Sequence, residues 1–440
     1  MTLGSLRARI TGVVAKDKAL ILGVAGVGLL KVGSMLAAIV VTILLARLLG
    51  PASFGAYAFA LSLASLLTLP ILQGLPVLVV REVAREAPGQ RAGLAATLLR
   101  FSDRLGLAAG LVLAMALAVA MGLGVAAQFG DEPLLSLSAI ALPLVMVATL
   151  VRGSVIRAWG RAVAGQLPDM LVRPVLLLVF LVVLVVVPRP TAGMAMSLHL
   201  LAAAIAFGVA VWLTRRYAPS HTGDAVSPGM PVGTWLRTLL PLSTVAGMQL
   251  INSQVDLVLL GFLGSAEDVG VYRVATTLAL QVSFVLTVVN AVAAPKFARL
   301  YREGRLAELR RVNRVGAAAA FSVGAVVFGI YALFGKPIIS LAVGPAYLGA
   351  FLPLMVLSGA HLMTLWAGTT NVLLNMIGRE RDVMTAALVS TALNIALNFI
   401  LIPRLGILGA ACSSAGSLVA WRGMLSLFLR RRLAAPTGES

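Results

Sequence analysis

The chain has 440 residues, of which 60% are hydrophobic and 12% are charged, and its mean hydropathy is +1.00. Soluble domains are nearer half apolar and about a quarter charged, so this composition excludes an ordinary soluble enzyme. The net charge of +19 comes from 35 Lys and Arg against 16 Asp and Glu. In a polytopic membrane protein such an excess marks basic cytoplasmic loops, and no nucleic-acid partner is expected.

Uncharged runs of helical length predict about twelve transmembrane helices. Roughly twenty apolar residues in a helix cross the ~30 Å core of a bilayer, whereas barrel strands have only about ten alternating residues. The first run is too long for a cleaved signal peptide, and a short amphipathic segment precedes it. In chain order the predicted helices cover 20–48, 54–80, 92–127, 134–156, 165–187, 192–214, 235–262, 268–294, 312–335, 349–377, 383–402 and 408–429.

Two sequence landmarks recur and predict an internal repeat. The segment Leu49–Tyr57 follows the first helix, and a similar segment, Leu263–Tyr272, follows the seventh. The pair Pro188-Arg189 before the sixth helix returns 215 residues later as Pro403-Arg404 before the twelfth. Six helices per half give both copies the same orientation, so we expect two pseudo-symmetric six-helix lobes around a central cavity. The predicted boundaries are 1–218 for the N-lobe, 219–234 for a cytoplasmic linker, 235–430 for the C-lobe and 431–440 for a cytoplasmic tail.

The distribution of basic residues predicts the orientation in the membrane. Of the 35 Lys and Arg, four fall in loops on one side, two lie inside helices, and the other 29 lie on or near the opposite side. Because positively charged loops face the cytoplasm, both termini are predicted to be cytoplasmic. The stretch 296–314 alone carries seven basic residues, which are expected to face solvent and contact anionic phospholipid headgroups.

Ionisable side chains inside the first-half helices are candidate functional residues, because a charge in hydrocarbon costs ~2.5–3.5 kcal/mol on insertion scales. Lys31 lies about eleven residues into the first helix. It either neutralises a phosphate in the cavity or reaches a helix carbonyl. Asp169 and Arg173 form an i, i+4 pair between two prolines of the fifth helix. They either pair locally or leave Arg173 free to enter the cavity. Three charged residues of the third helix either lie at the membrane interface or line the inner vestibule. They are Arg100, Asp103 and Arg104.

The seventh and eighth helices carry a second group of polar residues. Gln249, Asn252 and Asp256 share one helical face, because their spacing is i, i+3 and i+7. Arg273, about six residues into the eighth helix, lies at a depth similar to that of Asp256. An ion pair between Asp256 and Arg273 is therefore expected. The pair is either a structural staple or a gating or ligand-binding element, since a buried pair roughly breaks even energetically.

A polar stripe at helical period runs along the tenth helix. It includes His361, Asn371 and Asn375, and Asn394 and Asn398 repeat the pattern on the eleventh. Neutral donors and acceptors of this kind suit sugar hydroxyls, although hydrogen bonds between membrane helices, worth about 0.6 kcal/mol each on average, are an equal alternative. His361 has no second His or Cys at metal-ligand spacing, so neither a metal nor a cofactor is expected.

The segment Ala46–Tyr57, with the sequence ARLLGPASFGAY, resembles the multidrug/oligosaccharidyl-lipid/polysaccharide exporter superfamily. Within it, the chain is most similar to the polysaccharide transporters and O-antigen flippases, and the resemblance covers essentially the whole chain. Tyr57 and Tyr272 are interpreted as interfacial anchors. Supporting motifs are Gly74–Pro76, Arg81–Arg85, Asp256 with Leu260–Gly264, Val269–Tyr272 and Ile402–Ala410.

The resemblance implies a two-lobed bundle with a V-shaped cavity in the bacterial cytoplasmic (inner) membrane. Such a protein moves an undecaprenyl-pyrophosphate-linked oligosaccharide from the cytoplasmic to the outer leaflet by alternating access, with ion-gradient coupling. Superfamily flippases of the peptidoglycan precursor place basic cavity residues on helices one, two and eight; Lys31 and Arg273 match the first and eighth, but the second helix has none. The expected substrate-binding residues are Lys31, Arg173, Arg273, Asp256, Asn252, Gln249, His361, Asn371 and Asn375.

Four alternatives remain open. A cation-coupled multidrug antiporter should carry an unpaired acid in its first lobe, and the first, second, fourth and sixth helices have none. A peptidoglycan-precursor flippase, a non-transporting scaffold and a membrane glycosyltransferase are the others. The sequence contains neither a nucleotide-binding lysine loop nor a nucleophile elbow, so an enzyme is not expected. Expected partners are the lipid-linked oligosaccharide and a polysaccharide polymerase or glycosyltransferase.

Overall fold

The computed structural model describes residues 3–85, 91–122, 132–218, 232–366, 368–376 and 379–434, with some side chains inside these ranges, such as that of Gln249, outside the description. The predicted linker 219–234 lies mostly outside these residues, so the lobe boundaries stay a prediction. The helices are α1 Leu3–Leu72, α2 Leu75–Arg85, α3 Arg91–Gly122, α4 Pro133–Ala158, α5 Arg173–Leu184, α6 Ala192–Tyr217, α7 Val232–Leu263, α8 Ala266–Arg302, α9 Leu306–Ala342, α10 Phe351–Trp366, α11 Thr370–Met376, α12 Glu380–Leu405 and α13 Ile407–Ala434.

These helices confirm the predicted all-α membrane fold. By length and composition, seven of the described segments can cross a membrane. When α1 is divided at its bend and short consecutive helices are joined, the described helices form twelve units, which we call rods. The first two rods both belong to α1, which bends at Gly50, where φ is 73°. Left-handed backbone of this kind favours glycine, and Pro51 then starts the second rod. The tenth rod is α10 followed by α11, with a break at Gly368, where φ is 65°.

The predicted eighth and ninth helices, 268–294 and 312–335, are too short. Helices α8 and α9 have 37 residues each, or about 55 Å at 1.5 Å per residue, so they project beyond a ~30 Å bilayer core. Part of the basic stretch 296–314 is also ion-paired, because Glu303 accepts hydrogen bonds from Arg299 at 2.7 Å and from Arg305 at 3.1 Å. These two contacts lower the pKa of Glu303.

The two halves meet in a reciprocal glycine contact between α1 and α8. A Cβ added to Gly55 would overlap the carbonyl oxygen of Ala266, and one added to Gly270 would overlap that of Pro51. Pro51 and Ala266 are 215 residues apart, as are Gly55 and Gly270. Such an exchange of partners is what a two-fold axis between the halves produces. We call these four residues the far-side seam, because they lie at the opposite end of the bundle from the termini (the termini side).

The repeat extends to buried hydrogen bonds. The Tyr57 hydroxyl contacts Nδ1 of His199 at 2.7 Å, and the Tyr272 hydroxyl contacts Oγ of Ser414 at 3.2 Å. Both pairs are separated by 142 residues and join the second helix of a half to its sixth. Tyr57 and Tyr272 are only 4% and 0% exposed, so their predicted role as interfacial anchors is wrong. Their hydroxyls find partners inside the protein instead of at the membrane surface.

Packing along the first rod is strongly asymmetric. No described side chain from Gly26 to Leu44 is fully buried, whereas Leu45 and Ala46 are at most 2% exposed. On the far side, the Tyr347 hydroxyl also donates to the carbonyl oxygen of Ala46 at 2.8 Å. The halves are therefore tightly joined on the far side, while the first rod is loosely packed on the termini side.

Candidate functional site

A polar cavity of about 430 Å³ lies within the second half of the chain. Four predicted site residues line it, because α7 contributes Asn252 and Asp256, α10 contributes His361 and α11 contributes Asn371. Asn375 lies one turn beyond Asn371 and donates to its Oδ1 at 3.3 Å. The side chain of Gln249 lies outside the described residues. We call this space the C-half cavity.

Asp256 is the one predicted acid in the C-half cavity, and it is 5% exposed. Its carboxylate accepts hydrogen bonds from Nδ2 of Asn398 at 2.6 Å, from the Ser414 hydroxyl, and from the Tyr272 hydroxyl at 3.4 Å. No Lys or Arg in the described part of the chain lies within ion-pair distance of it. The predicted ion pair with Arg273 is therefore wrong. Sequence spacing gave the depth of the two residues but not the direction in which each side chain points.

The surroundings of Asp256 suit a proton or a small cation. An ionised carboxylate without a counter-charge is costly to bury, and its neutral donors offset only part of that cost. Two amide oxygens, Oδ1 of Asn252 and Oδ1 of Asn398, are buried without a hydrogen-bond partner among the described residues. Carboxylate, amide and hydroxyl oxygens together are the ligands that hard cations prefer. The C-half cavity can thus hold a charge-balancing ion.

Exchanging the charges of Asp256 and Arg273 tests the corrected pairing. We expect the variant Asp256→Arg with Arg273→Asp to transport no better than the worse single variant, because the two side chains do not meet in the structure. Asp103→Arg with Arg152→Asp is a matched control, since those side chains are joined by two hydrogen bonds of 3.1 Å and the exchange should restore expression lost in the single variants. Recovery of activity in the first exchange, at equal protein level, would contradict the structural assignment.

Arg173 pairs locally, as one of its two predicted alternatives required. Its guanidinium lies 2.9 Å from the carboxylate of Asp169. The backbone between Pro168 and Val172 forms a wide π-helical turn, in which the N–H of Arg173 donates to the carbonyl of Pro168. Pro174 lacks an N–H and clashes with the preceding turn of an ordinary helix, which explains the widening.

From Arg173 a chain of hydrogen bonds leads toward the other half. Nη1 of Arg173 lies 3.2 Å from Nε2 of His199, and Arg can only donate. Nε2 must therefore accept, which places the imidazole proton on Nδ1, facing the Tyr57 oxygen 2.7 Å away. The Tyr57 O–H is then free to donate to a further acceptor. Arg273 of the other half lies within electrostatic range of this hydroxyl.

Lys31 and Arg273 differ from Arg173 in having no ion pair or side-chain hydrogen bond within the described residues. Both are half-buried. At 1.5 Å per residue, Arg273 lies roughly 10 Å below the far-side start of α8, and Lys31 lies roughly 28 Å below Gly50. The two free cations are thus roughly 18 Å apart across the membrane. They therefore lie at two different depths of the bundle.

Two polar residues of the first half, His199 and Arg152, were not predicted from the sequence. His199 is 6% exposed and was hidden in an otherwise apolar helix. Arg152 of α4 binds both carboxylate oxygens of Asp103 at 3.1 Å and lies 4.4 Å from the ring centre of Phe207. Tyr57 and Tyr272 occupy equivalent positions of the repeat, and so do His199 and Ser414, each pair being 215 residues apart. Comparing the two halves in this way is the signal that could have located His199.

The chain matches one protein family and shares its fold with several solved transporters. Residues 21–301 match the family described as "Polysaccharide biosynthesis protein". An inward-facing MATE family multidrug resistance transporter of the MOP superfamily is similar at 17% identity and a TM-score of 0.73, over 91% of this chain and 94% of that one. The comparison with curated proteins gives no significant match.

Two further structures support the same fold. The lipid II flippase MurJ, in an inward closed conformation, is 12% identical with a TM-score of 0.69, over 93% of this chain and 87% of that one. A MOP superfamily transporter from Pyrococcus furiosus, described as having a binding pocket of reverse polarity, is 15% identical with a TM-score of 0.58, over 96% and 95% of the two chains. The chain therefore belongs to the polysaccharide biosynthesis protein family and has the membrane-transporter fold of the MATE transporters and MurJ.

Proposed function

We propose that this protein moves an undecaprenyl-pyrophosphate-linked oligosaccharide from the cytoplasmic to the outer leaflet of a bacterial cytoplasmic membrane by alternating access. The termini side is cytoplasmic in this proposal, in agreement with the 29 basic residues on or near it. The family match supports a substrate of polysaccharide biosynthesis. The transport fold supports translocation rather than chemistry on the sugar.

The observation that carries the proposal is the uneven packing of the first rod along its length. The far-side seam joins α1 and α8 with backbone in contact, while the first rod is loosely packed around Lys31 on the other side. On the termini side, α3 and the turn before α2 also contact α7, through Phe101 against Trp235 and Gly74 against Ser243. A substrate would reach Lys31 from this side when that contact opens, and the far-side seam must open to release it. Because both seam helices carry copies of one repeat, a rocking motion about the two-fold axis opens both copies together.

The two free cations suit an anionic group that moves across the membrane. A diphosphate carries negative charge and strong acceptor oxygens, and in a site of low dielectric one unpaired cation attracts it strongly. Lys31 would meet it first, and Arg273 with the Tyr57 hydroxyl would receive it roughly 18 Å farther on. The neutral side chains Asn252 and Asn371 of the C-half cavity offer donors and acceptors for sugar hydroxyls.

Coupling to an ion gradient is assigned in this proposal to Asp256. The carboxylate has only neutral partners, so a proton or cation bound there balances its charge. It belongs to the same cavity wall as Asn252 and His361. Ion binding can therefore change the hydrogen bonds that are available to the sugar.

A cation-coupled multidrug antiporter is the second candidate, and the same Asp256 favours it. A buried acid without a basic partner is what a cationic drug would neutralise. The free cations Lys31 and Arg273 count against this candidate, because they repel a cationic drug. A flippase for the peptidoglycan precursor is a third candidate, supported by the shared fold with MurJ. Proposed partners are anionic phospholipid at the basic stretch 296–314 and a polymerase or glycosyltransferase.

Transport in proteoliposomes tests the proposal. The purified protein would be reconstituted with an undecaprenyl-pyrophosphate-linked oligosaccharide, and a membrane-impermeant lectin would report sugars that reach the second leaflet. We expect transfer to be at least tenfold faster than in protein-free vesicles and to respond to a proton or sodium gradient. Background-rate transfer, together with exchange of a cationic dye for protons, would favour the antiporter.

Loss of either free cation should weaken this transport. We expect Lys31→Ala and Arg273→Gln each to reduce transfer by at least about tenfold, since replacing a charge-assisted contact by a neutral one costs about 1.5–3 kcal/mol. Arg404→Gln is the matched control, because Arg404 is an exposed residue at the far-side end of α12, and it should leave transfer unchanged. Full activity of both variants at equal protein level would eliminate the phosphate-binding role of these side chains.

A further inference from the structure

A second polar pocket lies outside the C-half cavity, where α9, α10 and α13 meet. Its volume is about 380 Å³, and Asn313, Thr364, Arg422 and Ser426 contribute polar atoms to it. At its mouth, Trp366 of α10 is 75% exposed and Met363 is 65% exposed. In a membrane-spanning helix, large apolar side chains with this exposure face lipid. The pocket therefore opens sideways toward the bilayer rather than toward the space between the halves.

Arg422 of α13 is the charged group in this pocket, and its hydrogen bonding is incomplete. Nη1 donates to the carbonyl of Gly368 over 3.4 Å, close to the limit for a hydrogen bond. Nε is buried without a partner among the described residues. The guanidinium also lies 4.8 Å from the ring centre of Trp421. No acidic side chain in the described part of the chain lies within ion-pair distance of Arg422.

The first half of the chain provides an internal comparison. There too an arginine, Arg152, lies where the third, fourth and sixth helices of a half meet. Its guanidinium also lies against an aromatic ring, that of Phe207. Its charge is balanced by Asp103 of the third helix.

In the second half, the 215-residue offset of the repeat places Ala318 where the first half has Asp103. The third helix contributes Asn313 to the pocket, but Oδ1 of Asn313 already accepts from N and Oγ1 of Thr369 at 3.0 and 2.7 Å. The second half thus has the cation without the acid.

The depth of Arg422 matches the headgroup region of one leaflet. It precedes the Arg430–Arg432 run of α13 by eight residues, or about 12 Å of helix, and an Arg side chain extends toward the interface. A lipid phosphate at the termini-side surface is therefore within its reach. Nε and Nη of a guanidinium can bind two oxygens of one phosphate, and Nε is the atom left without a partner.

We propose that this pocket binds one anionic phospholipid of the termini-side leaflet, whose phosphate takes the place that Asp103 occupies in the first half. The acyl chains lie against Met363 and Trp366 at the mouth of the pocket. This resident lipid differs from headgroups attracted to the basic stretch 296–314, because it is held inside the helix bundle. It also differs from the transported substrate, which is proposed to bind at Lys31, at Arg273 and in the C-half cavity, so the proposal stands independently of the proposed function.

Native mass spectrometry of the full-length protein from nanodiscs tests the site. The nanodiscs contain phosphatidylcholine with a minor fraction of phosphatidylglycerol. We expect the wild type to retain one phosphatidylglycerol and Arg422→Gln to lower that retention at least tenfold. Arg152→Gln is the matched control and should retain the lipid, because the charge of Arg152 is already balanced by Asp103. Equal retention by the wild type and Arg422→Gln would overturn the proposal.

Two further measurements keep the test decisive. If Arg422→Gln does not fold, as judged by its helical circular dichroism, Ser426→Trp fills the pocket while keeping the arginine, and it should also lose the lipid at least tenfold. Unchanged retention in Ser426→Trp would overturn the site. Undecaprenyl diphosphate is then added at the same mole fraction as phosphatidylglycerol. Continued retention of the phospholipid supports a resident lipid, whereas its replacement by the polyprenyl lipid would overturn that identity.

Discussion

Gly55→Val is expected to abolish transport while leaving the protein folded in the membrane. Even one carbon at Gly55 would overlap the carbonyl oxygen of Ala266, which is backbone and cannot move aside by changing rotamer. The far-side seam could then not close, and the protein would remain in states with that end open. Small residues permit such close contacts between membrane helices. We expect transfer to fall at least about a hundredfold, as a conformational bias of about 3 kcal/mol would give.

The accessibility of a cysteine reports the seam directly. Ser62 lies below the seam and donates a hydrogen bond to Gln254 of α7 at 2.9 Å. In a Cys412→Ala background, Ser62→Cys should react with an impermeant thiol reagent added from the outside faster when Gly55→Val is present. Gly28→Ala is the matched control, because a Cβ at Gly28 meets nothing within 4 Å. Wild-type transport and wild-type labelling in Gly55→Val would show that the seam does not control access.

Asp256→Asn is expected to abolish gradient-driven transport without destabilising the protein. The carboxylate is buried with neutral partners only, so its negative charge is retained at a cost to stability. The amide removes the charge at nearly constant shape. We expect the response of transport to a proton or sodium gradient to disappear. The free energy of unfolding should stay equal or rise by about 1 kcal/mol.

Glu267→Gln is the matched control for this change. Glu267 is an exposed acid at the start of α8, so its neutralisation should leave the gradient response intact. The measurement is the initial rate of transfer in vesicles with and without an imposed gradient. A preserved response in Asp256→Asn would assign coupling to another residue.

The fold could be predicted from the sequence because its signals are strong and local. Long uncharged runs allow only membrane helices, and the repeat of Leu49–Tyr57 as Leu263–Tyr272 indicated two related halves. The same motif proved to form the far-side seam, with Gly55 and Gly270 exchanging partners. What the sequence could not indicate is that the two copies touch each other. Contact between copies depends on helix tilt, which no local pattern encodes.

The site could be predicted only in part, because spacing along a helix does not fix the direction of a side chain. Asn252, Asp256, His361 and Asn371 line one cavity because neighbouring helices bring their polar faces together, and their role in binding substrate stays a prediction. The pairing of Asp256 with Arg273 failed because α8 turns Arg273 toward Tyr57 and the other half. Asp256 points instead to Asn398.

Two charged or polar residues escaped prediction for different reasons. Arg422 lies close to the basic end of the last helix, so in a count of charges it resembled an interface residue. His199 stands alone in an apolar helix, and its role depends on Tyr57, 142 residues away in the chain. Both become visible only when one half is compared with the other. Tyr57 has His199 as its partner where Tyr272 has Ser414. Arg152 has Asp103 as its partner, whereas Arg422 has no acidic partner among the described residues.

The most direct test of the proposed function is to delete the gene in its native host and to extract the lipid-linked sugars of the inner membrane. We expect one undecaprenyl-pyrophosphate-linked oligosaccharide to accumulate on the cytoplasmic leaflet and surface polysaccharide to be lost. Complementation by the wild type but not by Gly55→Val should reverse both effects. Normal lipid-linked sugars, with increased sensitivity to cationic drugs, would contradict the flippase proposal and favour the antiporter.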